Sequence, residues 1–366
     1  MRIFQLAPTL AHGDAIGNDV LALDALIKRL GYTAGIFYEH LHNGVLEKMC
    51  VHYKNMPKVK SDDIVIYHLA TASPTAYFFS SLECRKIVIY HNITPPEFFL
   101  GYSGIYYRAC KDALVEAEYL ADKADYCLAD SGFNKSDLEK MGYACPIDVL
   151  PILIPFEDYA KPPDAKIIKF FIDDDKKNML FTGRIAPNKK IENIIKTFCQ
   201  YQRHVNKNSR LFLVGSYSDE DIYYRQLKTY VKDLQLTDVV FTGHIPFSEV
   251  IAYYKLSDVY LCMSEHEGFC VPLLEAMYFD KPIVAYDSLC AVKETLGGCG
   301  VLLENDDPLV AAMIIGKILE DKELSDAIIA GQRERLKDFR YENVSRMFET
   351  YIKGFVGRTY AENSAD

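Results

Sequence analysis

Short, unbroken apolar runs alternate with amphipathic stretches along almost the whole chain. Asp63-Ile-Val-Ile-Tyr-His-Leu69, Lys86-Ile-Val-Ile-Tyr-His91 and Val259-Tyr-Leu-Cys-Met263 carry no polar alternation. Runs of this length and composition predict strands buried on both faces, as in a parallel sheet. Arg2–Pro8, Thr33–Tyr38, Ala124–Ala129 and Ile147–Ile154 read the same way. Between Pro8 and Thr33 the period changes. Val20, Leu23, Leu26, Ile27 and Leu30 recur at helical spacing, and Gly31 closes the pattern. The chain therefore opens as strand, glycine-bearing loop, helix, strand. Asp130-Ser131 supplies a helix N-cap after the strand Ala124–Ala129.

From Pro155 to Lys177 the sequence turns rich in proline, lysine and aspartate, which predicts a linker over 156–177. A second strand–helix series starts at Asn178. Its predicted strands are Met179–Thr182, Leu211–Gly215, Val239–His244, Val259–Met263 and Lys281–Tyr286. Helices are predicted over Ile191–Tyr201, Tyr223–Leu234, Pro246–Lys255, Pro308–Leu319, Glu323–Phe339 and Tyr341–Phe355, with a loop over Asp287–Thr295. The class this defines is α/β, in two domains. The first spans 1–155 and the second 178–340, with a last helix and fraying tail over 341–366.

Bulk composition narrows the function. Of 366 residues, 49% are hydrophobic and 25% charged, a globular balance. A net charge of −10 argues against a nucleic-acid partner, which needs basic stripes. No apolar run reaches the roughly 20 residues of a membrane span. Met1–Pro8 is too short and too soon broken for a signal peptide. Ten cysteines lie scattered without metal-ligand spacing, which favours a reduced, cytoplasmic setting and supports neither disulfides nor zinc.

Candidate chemistry gathers at strand ends. After Val259–Met263 come Ser264-Glu-His-Glu-Gly-Phe-Cys-Val-Pro-Leu-Leu-Glu-Ala-Met277, so Glu267 falls in a turn and Glu275 about a turn into a helix. A helix start offers unpaired N–H groups to an anion, and carboxylates beside it accept bonds from hydroxyls. A nucleotide sugar presents both. After Met179–Thr182, Gly183-Arg-Ile-Ala-Pro-Asn-Lys-Lys190 places two cations at a strand-to-helix turn, suited to a diphosphate. Gly13 and Gly17 sit in the first loop but are too widely spaced for a dinucleotide fingerprint. His68 and His91 each end a strand, and the Pro-rich loop Asn92–Phe99 follows His91. The plain alternatives are solvated acids, surface lysines, a turn glycine and structural histidines. Phe98–Arg108 is crowded with aromatics and reads either as a loop packed into the first domain or as a surface for a lipid–water boundary.

These motifs together resemble those of retaining glycosyltransferases of family 4, which have the GT-B architecture of two Rossmann-like domains facing across a cleft. The likeness is strong from Asn178 to Gly300 and looser before it. It implies that Glu267 meets the donor sugar and Glu275 the nucleotide ribose. Arg184 and Lys189 would hold the diphosphate, with Gly183 at the head of their turn. Gly268, Phe269, Cys270 and Val271 would face the donor through their backbone, and Gly13 and Gly17 would close over its phosphate. His91 would lie near sugar and acceptor, and Glu294 would match a further family glutamate. The first domain would bind mainly the acceptor and the second the nucleotide-sugar donor, and the last helix, 341–366 with its tail, would cross back to the first domain.

Lys190, Cys270 and Asp280 depart from the pattern, standing where the family usually has glycine. The implied activity is hexosyl transfer from a nucleotide sugar, GDP-mannose first and a UDP-sugar second. The acceptor would be a glycan or lipid-linked saccharide, and the enzyme would work in the cytoplasm or at the inner face of the membrane. No Asp-x-Asp motif stands at a strand end, so neither metal nor other cofactor is expected. A nucleotide-sugar epimerase, or an inactive partner of a transferase, would carry many of the same residues.

Overall fold

The computed structural model describes residues 1–11, 13–42 and 47–362, and only the backbone of 358–362. The chain divides into two compact units. The first comprises 1–96, 105–155 and 338–366, the second 97–104 and 156–337.

The first unit contains strands β1 (Arg2–Ala11), β2 (Thr33–His42), β3 (Cys50–His52), β4 (Ile64–Leu69), β5 (Arg85–Tyr90), β6 (Tyr126–Ala129) and β7 (Ile147–Val149). Its helices are α1 (Ala15–Arg29), α2 (Thr75–Ser81), α3 (Gly104–Tyr119) and α4 (Gly132–Lys140). Among the described residues the strands form one sheet in the order β3-β2-β1-β4-β5-β6-β7. Ile64↔Arg85 and Ile3↔Ile64 are among its parallel pairs. Alternate residues of β4 explain the apolar run: Ile64 and Ile66 enter one core, Val65, Tyr67 and Leu69 the other.

The second unit contains α5 (Ala165–Phe171), β8 (Lys177–Thr182), α6 (Ile191–His204), β9 (Ser209–Val214), α7 (Ile222–Asp233), β10 (Val239–Phe241) and α8 (Phe247–Leu256). It continues with β11 (Val259–Cys262), α9 (Val271–Tyr278), β12 (Ile283–Tyr286), α10 (Ala291–Leu296), β13 (Val301–Leu303), α11 (Pro308–Glu320) and α12 (Lys322–Leu336). The described strands order as β10-β9-β8-β11-β12-β13. In both sheets the strand order reverses beside the first strand, between β1 and β4 and between β8 and β11. Loops leaving the carboxyl ends at such a point splay apart and open a crevice for ligands.

Four readings of the sequence change. The stretch 156–177 is no free linker. It carries α5, whose cap residue Asp164 donates its N–H to Ser248 O at 2.8 Å, and Phe171 packs on Phe212. Its prolines and acids cap and bound a short helix rather than leave the chain unstructured. Residues 97–104 group with the second unit despite their place in the first half. The rest of the aromatic stretch enters α3. The loop expected over 287–295 contains α10.

The last helix, α13 (Tyr341–Glu362), belongs to the first unit, where Val344, Phe348, Ile352 and Phe355 join Leu23, Ile66 and Ile89 in one core. It runs past Gly357, where fraying was expected, and residues 363–366 of that tail lie outside the described residues.

Candidate active site

At the crevice of the second sheet, the turn after β8 and the turn after β11 are tied together. Glu265 donates its N–H to Asn188 O at 2.9 Å, and Asn188 Nδ2 donates to His266 O at 3.1 Å. The side chains meet as well. Lys189 Nζ donates to Glu267 Oε1 at 2.5 Å, and Lys190 Nζ lies 3.1 Å from Glu265 Oε2. Burial works against the Lys189 charge, but its neighbours, led by the Glu267 carboxylate, together raise the lysine pKa. Of the two lysines, Lys189 is therefore the one joined to the glutamate of the turn.

Arg184 shares this turn, its guanidinium 5.8 Å from the ring centroid of Phe99. Phe99 and its neighbour Phe98, which lies 6.1 Å from the His266 ring, come from the 97–104 segment. Gly183 heads the turn at φ 139, and a Cβ on Gly215 would come within 1.9 Å of its carbonyl oxygen. Only bare backbone lets the ends of β8 and β9 approach so closely.

Gly268, Phe269 and Cys270 lead into α9, which begins at Val271. Cys270 is buried with φ 71 and gives the helix no side-chain cap. Pro272 has no N–H and Leu273 N–H donates to Cys270 O at 3.0 Å, which leaves Val271 to offer its N–H to an anion. Thr295 holds Phe269 O at 2.5 Å, and Ala291 N–H bonds Glu267 O at 3.2 Å, so α10 braces the turn. Glu294 lies on α10, its carbonyl accepting from Arg335 Nη2 at 2.7 Å.

Glu275, on α9, accepts from Tyr159 on Oε1 and from Tyr254 on Oε2, both at 2.7 Å. Burial raises its pKa against both hydroxyls. Two bonds occupy about half of a carboxylate's lone-pair sites, and the rest can accept from a diol. Tyr159 was hidden from sequence reading because it lies in the expected linker. The available signal was an aromatic residue within a Pro- and Asp-rich run.

In the first unit, Asp14 caps α1, accepting from Gly17 N–H at 2.5 Å. Gly13 has φ 88, and a Cβ on Gly17 would lie 2.0 Å from Ala11 O. The glycines thus shape the tight step from β1 to α1.

His91 is enclosed, its side chain 1% exposed. Gln5 fixes its protonation. Gln5 Nε2 donates to Val20 O at 3.0 Å, so its Oε1 accepts from His68 Nε2 at 3.0 Å. His68 Nδ1 is then bare and accepts from His91 Nε2 at 2.8 Å. His91 Nδ1 faces Asp130 Oδ2 at 3.0 Å. Burial opposes the charged ring, yet Asp130, with Asp19 and Asp14, raises the His91 pKa. Atoms of Asp19, His68 and His91 lie within 4.8 Å of one another, a possible metal-ligand set. The two rings, however, are parallel within 3° with centroids 5.2 Å apart, so their nitrogens meet head-on. That is the geometry of a shared proton, and a metal ion bound to both nitrogens would force them apart. The His91 ring thus lies in a buried charge network.

Comparison with known proteins fits this site. The family model of the glycosyl transferases group 1 matches residues 164–335, within the second unit. An uncharacterized glycosyltransferase of Methanocaldococcus jannaschii is 31% identical over 182 residues, covering 49% of this chain and 44% of that one. The match thus spans less than half the length of that relative. O-antigen chain mannosyltransferase B of Escherichia coli is 24% identical over 286 residues, 76% of this chain and 71% of that one. The crystal structure of HepE of Anabaena in complex with UDP and glucose superposes with a TM-score of 0.74 at 17% identity. It covers 97% of this chain and 100% of that one, which shows that the two share a fold. Among the described residues no helix is long and apolar enough to cross a membrane.

Proposed function

We propose that this chain transfers a hexosyl unit from a nucleotide sugar to a glycan or lipid-linked saccharide, with retention at the anomeric carbon and without a metal ion. The observation that carries the reading is the Lys189–Glu267 pair at the reversal of strand order, beside the uncapped start of α9. Cation, carboxylate and a helix start in one turn suit a molecule that joins hydroxyls to a diphosphate.

The nucleotide ribose bonds the remaining lone pairs of Glu275. Glu267 orients the sugar hydroxyls. Arg184 and Lys189 stabilise the charge that develops on the diphosphate as the glycosidic bond breaks, each contributing roughly 3 kcal/mol. The acceptor attacks from the face the phosphate leaves, which gives retention without a protein nucleophile, and the departing phosphate takes the acceptor proton, so no protein carboxylate need act as base. GDP-mannose is the first choice of donor, supported by the likeness to an O-antigen mannosyltransferase. A UDP-sugar is the second, supported by the shared fold of HepE. Synthesis of cell-surface polysaccharide, in the cytoplasm or at the inner face of the membrane, fits such an acceptor.

Transfer from radiolabelled donors in EDTA tests this. Arg184→Ala and Lys189→Ala should each lower kcat/KM by about 100-fold or more. Glu275→Ala should raise KM for the donor. Turnover at the wild-type rate in these variants, or dependence on added metal, would overturn the assignment. Donor conversion without acceptor would mark an epimerase instead.

A further inference from the structure

The second unit has a groove of 590 Å³ outside the turns described above. It runs between α6 and α7, and Tyr102 of the 97–104 segment completes it. Its size falls within the range of small-molecule sites, roughly 300–1,000 Å³.

The lining has a definite chemistry. Tyr102 and Tyr230 provide aromatic surface, and the buried Tyr223 backs Tyr102 edge to face at 5.2 Å. Charged groups balance: Glu192 and Asp233 against Lys196 and Arg225. A balanced lining does not select an anion, so neither a nucleotide nor a phosphate is the natural occupant. Aromatic faces stack on the C–H faces of pyranose rings, and carboxylate, guanidinium and hydroxyl groups bond sugar hydroxyls. Part of this lining is held in place beforehand. Tyr223 OH accepts from Ile191 N–H at 2.9 Å and donates to Glu192 Oε2 at 2.5 Å.

The groove also adjoins the candidate active site. Glu192 is in the first turn of α6, two residues after Lys190. Along the 97–104 segment, Phe98 and Phe99 lie against His266 and Arg184, and Tyr102 lies against the groove. One short segment therefore touches both places.

We propose that this groove binds the chain of an uncharged oligosaccharide acceptor, several sugar units away from the reacting end. The proposal rests on the transferase reading above and names where its acceptor extends.

The test uses the full chain with mannohexaose, maltohexaose and chitohexaose, followed by saturation-transfer NMR and calorimetry. At least one should bind at millimolar concentration. Thr229→Trp, at an exposed lining position, and Arg225→Glu should each weaken that binding about tenfold or more. Thermal shifts with GDP-mannose and UDP-glucose should stay as in the wild type, which also shows that the variants fold. Absence of binding by all three oligosaccharides, or binding untouched by both variants, would overturn the proposal. Oligosaccharide binding that responds to the variants, in a chain that no nucleotide sugar shifts, would sustain the groove and sink the transferase reading.

Discussion

Lys190, Cys270 and Asp280 have φ values of 50, 71 and 53. These are the three positions where the resembled family usually has glycine. A left-handed backbone on a residue with a side chain costs about 1 kcal/mol or more at each. The departure was legible in the sequence, but its conformational consequence was not, because nothing in a residue name fixes φ. Lys190→Gly should therefore stabilise the second unit by about 0.5–1 kcal/mol, reduced by the freer unfolded chain and the lost Glu265 pair. Chemical denaturation would check this. An unchanged or lower midpoint would mean that the lysine contacts outweigh the strain.

Asp19 gives a second residue-scale prediction. Burial, aided by Asp130, pushes its pKa up to about 7 against His91 and the Leu153 N–H. An unfolded aspartate titrates near about 3.9. Between these values the folded chain holds a proton that the unfolded chain has lost. The contribution to stability is complete below about pH 4 and is lost as pH rises through about 7. Asp19→Asn keeps an acceptor for Leu153 and removes the titration. It should exceed wild type in stability above pH 7, by on the order of 3 kcal/mol, with the gap closing towards pH 4. Melting curves across that range would reveal it.

For the elements, legibility followed burial. Strands enclosed on both faces, such as β4, β5 and β11, announce themselves as continuous apolar runs. Helix α5 did not, since none of its residues is fully buried and its Ala-Lys-Ile-Ile-Lys-Phe-Phe sits among prolines and aspartates. Helix α10 has only six residues, too few for a period to show. The candidate site divides in the same way. Arg184, Lys189, Glu267 and Glu275 follow motif spacing, whereas Tyr159 and Tyr254 reach Glu275 only through tertiary packing. At the β1–α1 step, an added methyl at Gly17 would press on Ala11 O. Gly17→Ala should cost about 1–3 kcal/mol of stability, measured by denaturant unfolding. A cost near zero would mean that this step yields easily.

Across the whole molecule, two sheets repeat one strand order and place their candidate residues at equivalent reversals. Sequence periodicity conveyed the repetition, and resemblance conveyed the architecture. Neither revealed that 97–104 leaves its neighbours in the chain and groups with the second unit. Core-forming Phe348, on α13, is fully buried. Phe348→Ala should cost about 3–5 kcal/mol, with earliest loss of protection in the first unit by hydrogen exchange. Equal loss in both units would contradict that partition.

The position of α13 also sets a timetable for synthesis. Domains usually mature from the amino end as they leave the ribosome. Here the leading sheet must wait, one of its faces covered only in part by α1, until codons beyond 340 have been translated. The trailing unit, complete by residue 337, can reach its final form sooner. During that interval Ile3, Ile64 and Ile87 lack the helix that shields them, which makes the nascent chain a natural client for chaperones.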